Sequence, residues 1–517
     1  MDIFFDSLVA FINETRNTKP NEKQLDYTAK EVSANYLKYR EKKEFWSIMD
    51  QNFSSDPELY SLLLSAIYYI TNDVKCLEKL EELSVRSDID LFMADGIQYQ
   101  VRLNRFRSQQ KSQIPYEVIR NRHYILLERF LKEYQVEQSY IPYSERNKKR
   151  IVVMTDALLS QLHAPTNIVL ELCKILQGNL GFEVFLTVCI ANTKGSEMQK
   201  YCVFPFQAKY IEQYNGDFLL NLDTVKLPVY QMLLEKDTIN EFQDLLYRIH
   251  NWKPLCVWYV GGNSFWHDVF NTFITMISMP CVEGYSVSEA DVLVSYAKSS
   301  GEHIEQQRQY IQEQGQKIID LEPGWVYKKE QGKRCRKDYN IPLNAVLLAV
   351  VGNRLEDELS EQFLEFMERL VKENNSIYYA VVGDYTKPID SKILKERMIF
   401  FGFCKDLLNV LEITDIFLNP PRQGGGGGAA RAQAVGKPVV SLKHCDVEAV
   451  SGKDFCCDTL DEMATVIKRY CTDKEFYKSM SEKSLENYKK HSGVDMKEQY
   501  KRVLDTVETW IAEGKIK

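Results

Sequence analysis

The stretch Leu418–Leu442, LNPPRQGGGGGAARAQAVGKPVVSL, carries five consecutive glycines, Gly424 to Gly428. Glycine loses more conformational freedom on folding than any other residue, roughly 0.5–1 kcal/mol relative to Ala inside an element. Five in a row therefore need a reason. DIFLNPPRQ, before the run, ends a strand-type segment. After it, Ala429 to Val435 reads as a short helix, with Gly436 as its left-handed cap before Lys437-Pro438. A glycine turn between a strand and a helix exposes backbone N–H groups at the positive end of the helix dipole, and the missing Cβ atoms let an anion reach them. Arg422 and Arg431 flank the run, Arg431 in the first helical turn. The chemistry this suits is the binding of a phosphate or pyrophosphate. The competing reading is a flexible linker. Such linkers are longer, mix in Ser and join domains, whereas this run lies inside one strand–helix unit. A dinucleotide fingerprint would place glycines after the first strand of a domain. VVGNRLEDEL, at that place, has one Gly, and the Walker pattern of Lys after Gly is absent. NAD is disfavoured.

Three other loops follow strand-type runs. DALLSQLHAPTN offers Asp156, which ends the strand, and His163, a general base or phosphate ligand by its near-neutral pKa. A loop or helix-start histidine is the competing view. YVGGNSFWHDVF holds Gly261, Gly262, Asn263 and His267. A turn with Asn263 or Ser264 as helix N-cap explains that segment without any ligand. SLKHCDVEAV holds Lys443, His444, Asp446 and Glu448, and either carboxylate suits a sugar hydroxyl; a solvated loop competes. The seven His form no H-E-x-x-H or similar cluster, so no metal site is expected.

Positioning these groups takes three regions. Residues 1–147 read as an all-α accessory domain: apolar residues recur at three- and four-residue spacing, and Gly96 is the only glycine. In 148–330, short apolar runs (IVVMT, EVFLTVCIA, PLCVWYVGG, ADVLVSYA) alternate with helical patterns such as INEFQDLLYRIHNW and WHDVFNTFITMIS. That is the pattern of βα units feeding a parallel sheet. IIDLEPGWVYKKEQGKRCRKDYNIP reads as a connection. The alternation restarts in 331–490, and 491–517 ends the chain in a helix. Ligands of doubly wound sheets bind outside the carboxyl ends of the strands. Two such domains facing each other make a cleft, and the candidate residues lie at its strand ends.

The 517 residues are 44% hydrophobic and 27% charged, ordinary for a globular protein. A net charge of −8 and a pI of about 5.7 argue against a general nucleic-acid binder. No signal peptide and no membrane span are expected. Twelve scattered cysteines without a C-x-x-C pair fit a reducing, cytoplasmic compartment.

From Arg150 onward the sequence resembles a GT-B glycosyltransferase. LEPGWVYKKE sits like the Pro-Gly linker into the donor domain. NIPLNAVLLAVVGNRL resembles that domain's first strand and turn, YYAVVGD the next strand, and RMIFFGFCKDLLNVLEITDIFLNPPRQGGGGGAARAQAVGKPVVSL the nucleotide-sugar stretch. The resemblance implies an α/β GT-B fold, two Rossmann-like domains facing a cleft behind the all-α domain, with the last helix crossing back to the first α/β domain. It implies that Arg354 pairs with the donor diphosphate and that Gly402 and Phe403 lie against the base. Gly425, Gly426, Gly427 and Gly428, with Ala429 at the helix start, hold phosphates or sugar. Gln423 and Arg431 stand where the retaining family 4 carries two glutamates, which departs from that family's chemistry. The glycine-rich turn and helical domain also resemble cytoplasmic O-GlcNAc transferases and adhesin N-glycosyltransferases. The implied activity is metal-independent, cofactor-free transfer of a sugar from a UDP-linked donor to a protein or glycan acceptor, with the helical domain meeting a protein partner. The alternatives are a non-catalytic GT-B-like subunit that targets or chaperones an active transferase or its substrate, and, more distantly, a sugar-nucleotide epimerase.

Overall fold

The structure is a computed structural model that describes residues 2–15, 22–39, 43–107, 114–159, 163–189, 198, 200–203, 211–223, 225–233, 238–281, 284–296, 302–322, 324, 326–327, 329–422 and 424–517. Among these, seven helices precede the first strand: Asp2–Thr15, Glu22–Tyr39, Lys43–Phe53, Pro57–Thr71, Val74–Ser84, Leu91–Arg107 and Tyr116–Glu133. Their boundaries follow local chemistry. Asp56 accepts from Leu59 N with Pro57 in the first turn, and Asn72 closes the same helix in the left-handed conformation. Asp73 then caps the next helix through Lys75 N.

The first sheet has eight strands: β1 (Asn147–Thr155), β2 (Glu183–Val188), β3 (Gly216–Leu222), β4 (Val225–Gln231), β5 (Pro254–Val260), β6 (Met276–Met279), β7 (Val292–Tyr296) and β8 (Lys317–Leu321). Their order is β3-β4-β2-β1-β5-β6-β7-β8. All neighbours run parallel except the β3/β4 hairpin at the edge. The second sheet contains β9 (Val346–Val351), β10 (Ile377–Val382), β11 (Met398–Gly402), β12 (Ile416–Leu418), β13 (Val439–Leu442) and β14 (Cys456–Cys457). It is parallel throughout, in the order β11-β10-β9-β12-β13-β14. Central strands such as β5 are buried along their whole length, as helices on both faces require.

Three segments differ from expectation. The β3/β4 hairpin went unrecognised, although its burial alternates residue by residue. IIDL is β8, the last strand of the first sheet, rather than connection. WHDVFNTFITMIS does not form one helix: Phe265–Asp268 and a 3-10 turn lead into β6.

The helical region and first sheet share one hydrophobic core, which also receives Tyr500, Val503, Leu504, Val507 and Ile511 of the last helix, Met496–Ala512. The ring of Phe130 stands 5.6 Å from Phe242 and 5.1 Å from Trp266. Buried polar pairs cross the same boundary: His123 Nε2 lies 2.5 Å from Asp268 Oδ2, and Trp266 Nε1 donates to Asp95 over 2.9 Å. The second sheet packs around its own core. No described helix is long and apolar enough to cross a membrane, and all twelve cysteines are free thiols.

Because Phe130 plugs the shared core from the helical side, Phe130→Ala is expected to cost about 3–5 kcal/mol. Denaturation followed by far-UV circular dichroism and by limited proteolysis should show the helical region and first sheet lost in one transition. Separate loss of the helical region alone contradicts a shared core.

Candidate active site

The glycine run lies at the carboxyl end of the second sheet, after β12. The helix begins at Gly426 and ends at Ala434, with Gly425 as N-cap at φ 111°. This corrects the expected start at Ala429. Three glycines form the first helical turn, and Arg431 belongs to the last turn. Gly436 takes the expected left-handed cap position, φ 70°.

The glycines divide by what a Cβ would meet. At Gly425 it would stand 2.2 Å from Asn419 Oδ1, and the positive φ also demands glycine. At Gly426 it would press on Val450 and Asp446 at 3.1–3.2 Å, and at Gly428 on the Phe417 ring at 3.0 Å. These two let the helix sit tightly on helix Asp446–Ser451 and on β12. Gly424 and Gly427 are different. Their nearest neighbours are the flexible tips of Arg354, 3.8 Å away, and Arg431, 3.4 Å away. The fold needs no glycine there, so these positions keep space open. The N-cap has no side chain, and the first helical amides have no intrahelical acceptor. Ala429 is buried and supports the turn from beneath.

Arg354 stands at the end of β9, in the turn facing the run, with its side chain 34% exposed and Nη2 3.3 Å from Glu358 Oε1. Arg422 does not face a ligand, contrary to expectation. Its side chain is 7% exposed, pairs with Glu358 through Nη1, and donates to Val351 O at 2.7 Å and Asn419 Oδ1 at 2.8 Å. Desolvation explains this: a guanidinium so buried must spend its donors on fixed acceptors. Arg431 is also turned aside. It donates to Gly427 O at 3.0 Å and lies 4.2 Å over the ring of Tyr327 in the interdomain connection. Glu448 accepts from His444 N at 2.5 Å and so closes its own turn, where a sugar contact was expected. Gly402 ends β11 at φ 60°, its surroundings open to 4 Å, beside the exposed ring of Phe403. Gln423 lies outside the described residues.

On the first sheet, Asp156 follows β1. Tyr259 Oη lies 2.9 and 3.1 Å from its two oxygens and 2.9 Å from Gly262 O. A third of the Asp156 side chain, 35%, stays exposed, yet its surroundings desolvate it and raise its pKa to about 6, against the pull of the Tyr259 hydroxyl and of Arg102. His267 is fully buried, stacked 3.9 Å from the Tyr259 ring, and burial depresses its pKa to about 3 although the Thr155 and Ser264 carbonyls lie near. It is a neutral packing residue beneath Asp156 and has no access to an acceptor. Asn263 accepts from Val287 N at 2.7 Å and holds a turn, which also removes it from the acceptor side. His163 precedes helix Ala164–Lys174, with Nδ1 3.1 Å from Thr166 Oγ1. Tyr259 and Glu358 were missed. One sits in a strand run that reads as core, the other in a helix start that reads as surface. Among the described residues, no group of three or more His, Cys, Asp or Glu is placed to hold a metal ion.

Residues 346–473, the second sheet with its helices, match the family described as Glycosyl transferases group 1. The whole chain superposes on a point mutant of the Thermobaculum terrenum O-GlcNAc transferase, with TM-score 0.54 and 10% identity over 99% of this chain and 98% of that one. The fold is GT-B. A Rickettsia africae glycosyltransferase aligns with TM-score 0.45 and 12% identity, over 70% of this chain and 99% of that one. Anabaena HepE in complex with UDP aligns with TM-score 0.44 and 12% identity, over 71% and 99%. No curated protein sequence matches.

The two kinds of glycine separate experimentally. Gly425→Ala is expected to destabilise the protein and to abolish nucleotide binding together. Gly427→Ala is expected to leave the melting temperature unchanged or raise it, since Ala favours a helix by up to about 1 kcal/mol, while weakening nucleoside diphosphate binding measured by calorimetry. Undiminished binding by Gly427→Ala contradicts an open ligand position there.

Proposed function

We propose that the chain is a glycosyltransferase that moves a sugar from a UDP-linked donor to a protein or glycan acceptor. The observation that carries this reading is the meeting of Arg354 with the uncapped glycine helix at the strand ends of a glycosyltransferase group 1 domain. Bond breaking at the sugar C1 leaves negative charge on a nucleoside diphosphate. Preorganised backbone amides and a guanidinium stabilise such charge without needing to reorganise. We assign that work to the Gly426 and Gly427 amides and to Arg354, with no metal required. Gly402 and Phe403 take the base.

We assign the acceptor-side base to Asp156. In the transfer, the acceptor hydroxyl gives its proton to an Asp156 oxygen as its own oxygen bonds to C1. The C1–O bond to the diphosphate breaks, and its electron pair leaves with the diphosphate. The geometry favours Asp156 over His267, which is sealed, and the raised pKa suits a base working near neutrality. His163, on the same strand end, is assigned to a donor phosphate oxygen. The free cysteines suit a reducing, cytoplasmic compartment, and we assign the meeting with a protein acceptor to the helical region, which shares its core with the first sheet.

Slow donor hydrolysis or transfer is the readout. Arg354→Ala is expected to weaken donor binding about tenfold to a hundredfold. Asp156→Asn is expected to lower kcat by roughly 10²–10⁴-fold. Parental kcat should rise with pH through about 6, because the base works only when ionised, and the variant should lose that rise. His163→Ala should raise the donor KM and keep it. Stability carries the opposite sign. An acid whose folded pKa is raised from 3.8 to about 6 favours the fold when protonated, so this contribution is lost as pH rises between those values. Asp156→Asn should therefore melt higher than the parent near pH 8. No nucleotide-sugar binding by the parent and a silent Arg354→Ala overturn the reading.

A further inference from the structure

Glu358 is itself nearly buried, and it joins the two turns that build the site. It ends the short helix Leu355–Glu358 after β9 and divides its carboxylate between two arginines. Oε2 takes Arg422 Nη1, and Oε1 lies 3.3 Å from Arg354 Nη2. Arg422 continues to Asn419, whose Nδ2 lies 3.4 Å from Gly424 O. One chain of polar contacts thus runs from Arg354 through Glu358, Arg422 and Asn419 to the first glycine of the run.

The charges explain the order of that chain. A carboxylate beside an anion site repels the ligand unless a cation offsets it. Arg422 is that cation: buried, it donates from all three of its nitrogens to Glu358, Val351 O and Asn419, which turns it away from a ligand. The trio carries a net charge of one, displayed at Arg354, its exposed member. A long, flexible arginine gains direction when a fixed carboxylate holds one side of its planar fork. We propose that Glu358 is a positioning residue: it aims Arg354 at the glycine turn for the donor diphosphate, and Arg422 is the buried counter-charge that lets a carboxylate stand there. The proposal rests on the donor-binding reading of Arg354.

The test measures binding of UDP and UMP, with GDP and GMP in parallel, to the full-length protein by calorimetry. The variants are Arg354→Ala, Glu358→Gln and the pair Glu358→Gln/Arg422→Met, which removes both buried charges and leaves the interior neutral. The pair variant is expected to keep the parental circular dichroism and melting transition and to bind the diphosphate about tenfold more weakly. Monophosphate binding should change little, so the preference for diphosphate over monophosphate falls. In an Arg354→Ala background the pair should cause no further loss, because Glu358 acts through Arg354. Parental diphosphate affinity in the folded pair variant, or equal loss of both nucleotides, overturns the positioning role and leaves only a structural brace. Should the pair variant not fold, Glu358→Gln alone is read by the same ratio, and an unchanged ratio overturns the role. An Arg354→Ala protein that binds diphosphate like the parent overturns the donor reading itself, and the positioning role with it.

Discussion

The buried ion pair between Arg422 and Glu358 is the constraint on which the glycine turn and its neighbours depend. Both side chains are within a few percent of complete burial. Removing one partner of such a pair leaves an uncompensated charge in the interior, at a cost of about 3–5 kcal/mol. That penalty ties the turn after β9 to the turn after β12, because neither arginine nor carboxylate tolerates the other's departure. Asn419 extends the tie to the glycine run. Its Oδ1 fills the space a Cβ of Gly425 would need, so the helix can start only where glycine permits φ 111°. The helix start, its open amides and Arg354 are therefore consequences of one polar arrangement beneath them.

At the strand ends of the first sheet the constraint is aromatic. Tyr259 stacks on the fully buried His267 and hydrogen-bonds the partly exposed Asp156, which His267 Nδ1 also approaches to 3.5 Å. Partial desolvation at this strand end is what raises the carboxylate. The helical region takes part through Trp266, which donates to Asp95 in helix Leu91–Arg107, and through Arg102, whose charge acts on Asp156. The helical region is thus joined to this strand end through the core it shares with the first sheet. The interdomain connection is braced as well: Tyr327 stacks on Tyr488 and lies under the Arg431 guanidinium.

Much of this was legible in residue order. Alternating apolar runs and helical patterns marked two α/β sheets behind a helical region, and the strand-end rule placed Asp156, His163, Arg354 and the glycine run correctly at carboxyl ends. The misreadings have local causes. The β3/β4 hairpin lacks the continuous apolar run of the parallel strands and alternates instead. The glycine helix was started at Ala429 because glycine is a poor helix former, and tertiary packing against Phe417 and Val450 overrides that propensity. Arg422 and Arg431 looked alike beside the run, because burial does not show in a local pattern.

What the sequence determined by itself is the inventory: the fold class, most of the parallel strands with their helices, and a glycine turn between a strand and a helix, all set by short-range periodicity and backbone chemistry. What tertiary structure decided is which charges remain available. Arg422 is consumed by Glu358, 64 positions earlier in the chain, Arg431 leans on the connection, and Arg354, held by the same Glu358, faces the glycines. Asp156 is raised by desolvation, against the hydrogen bond from Tyr259, 103 positions away in the chain. Availability depends on desolvation and on partner geometry, and both are properties of contacts between residues distant in sequence, which no local pattern encodes.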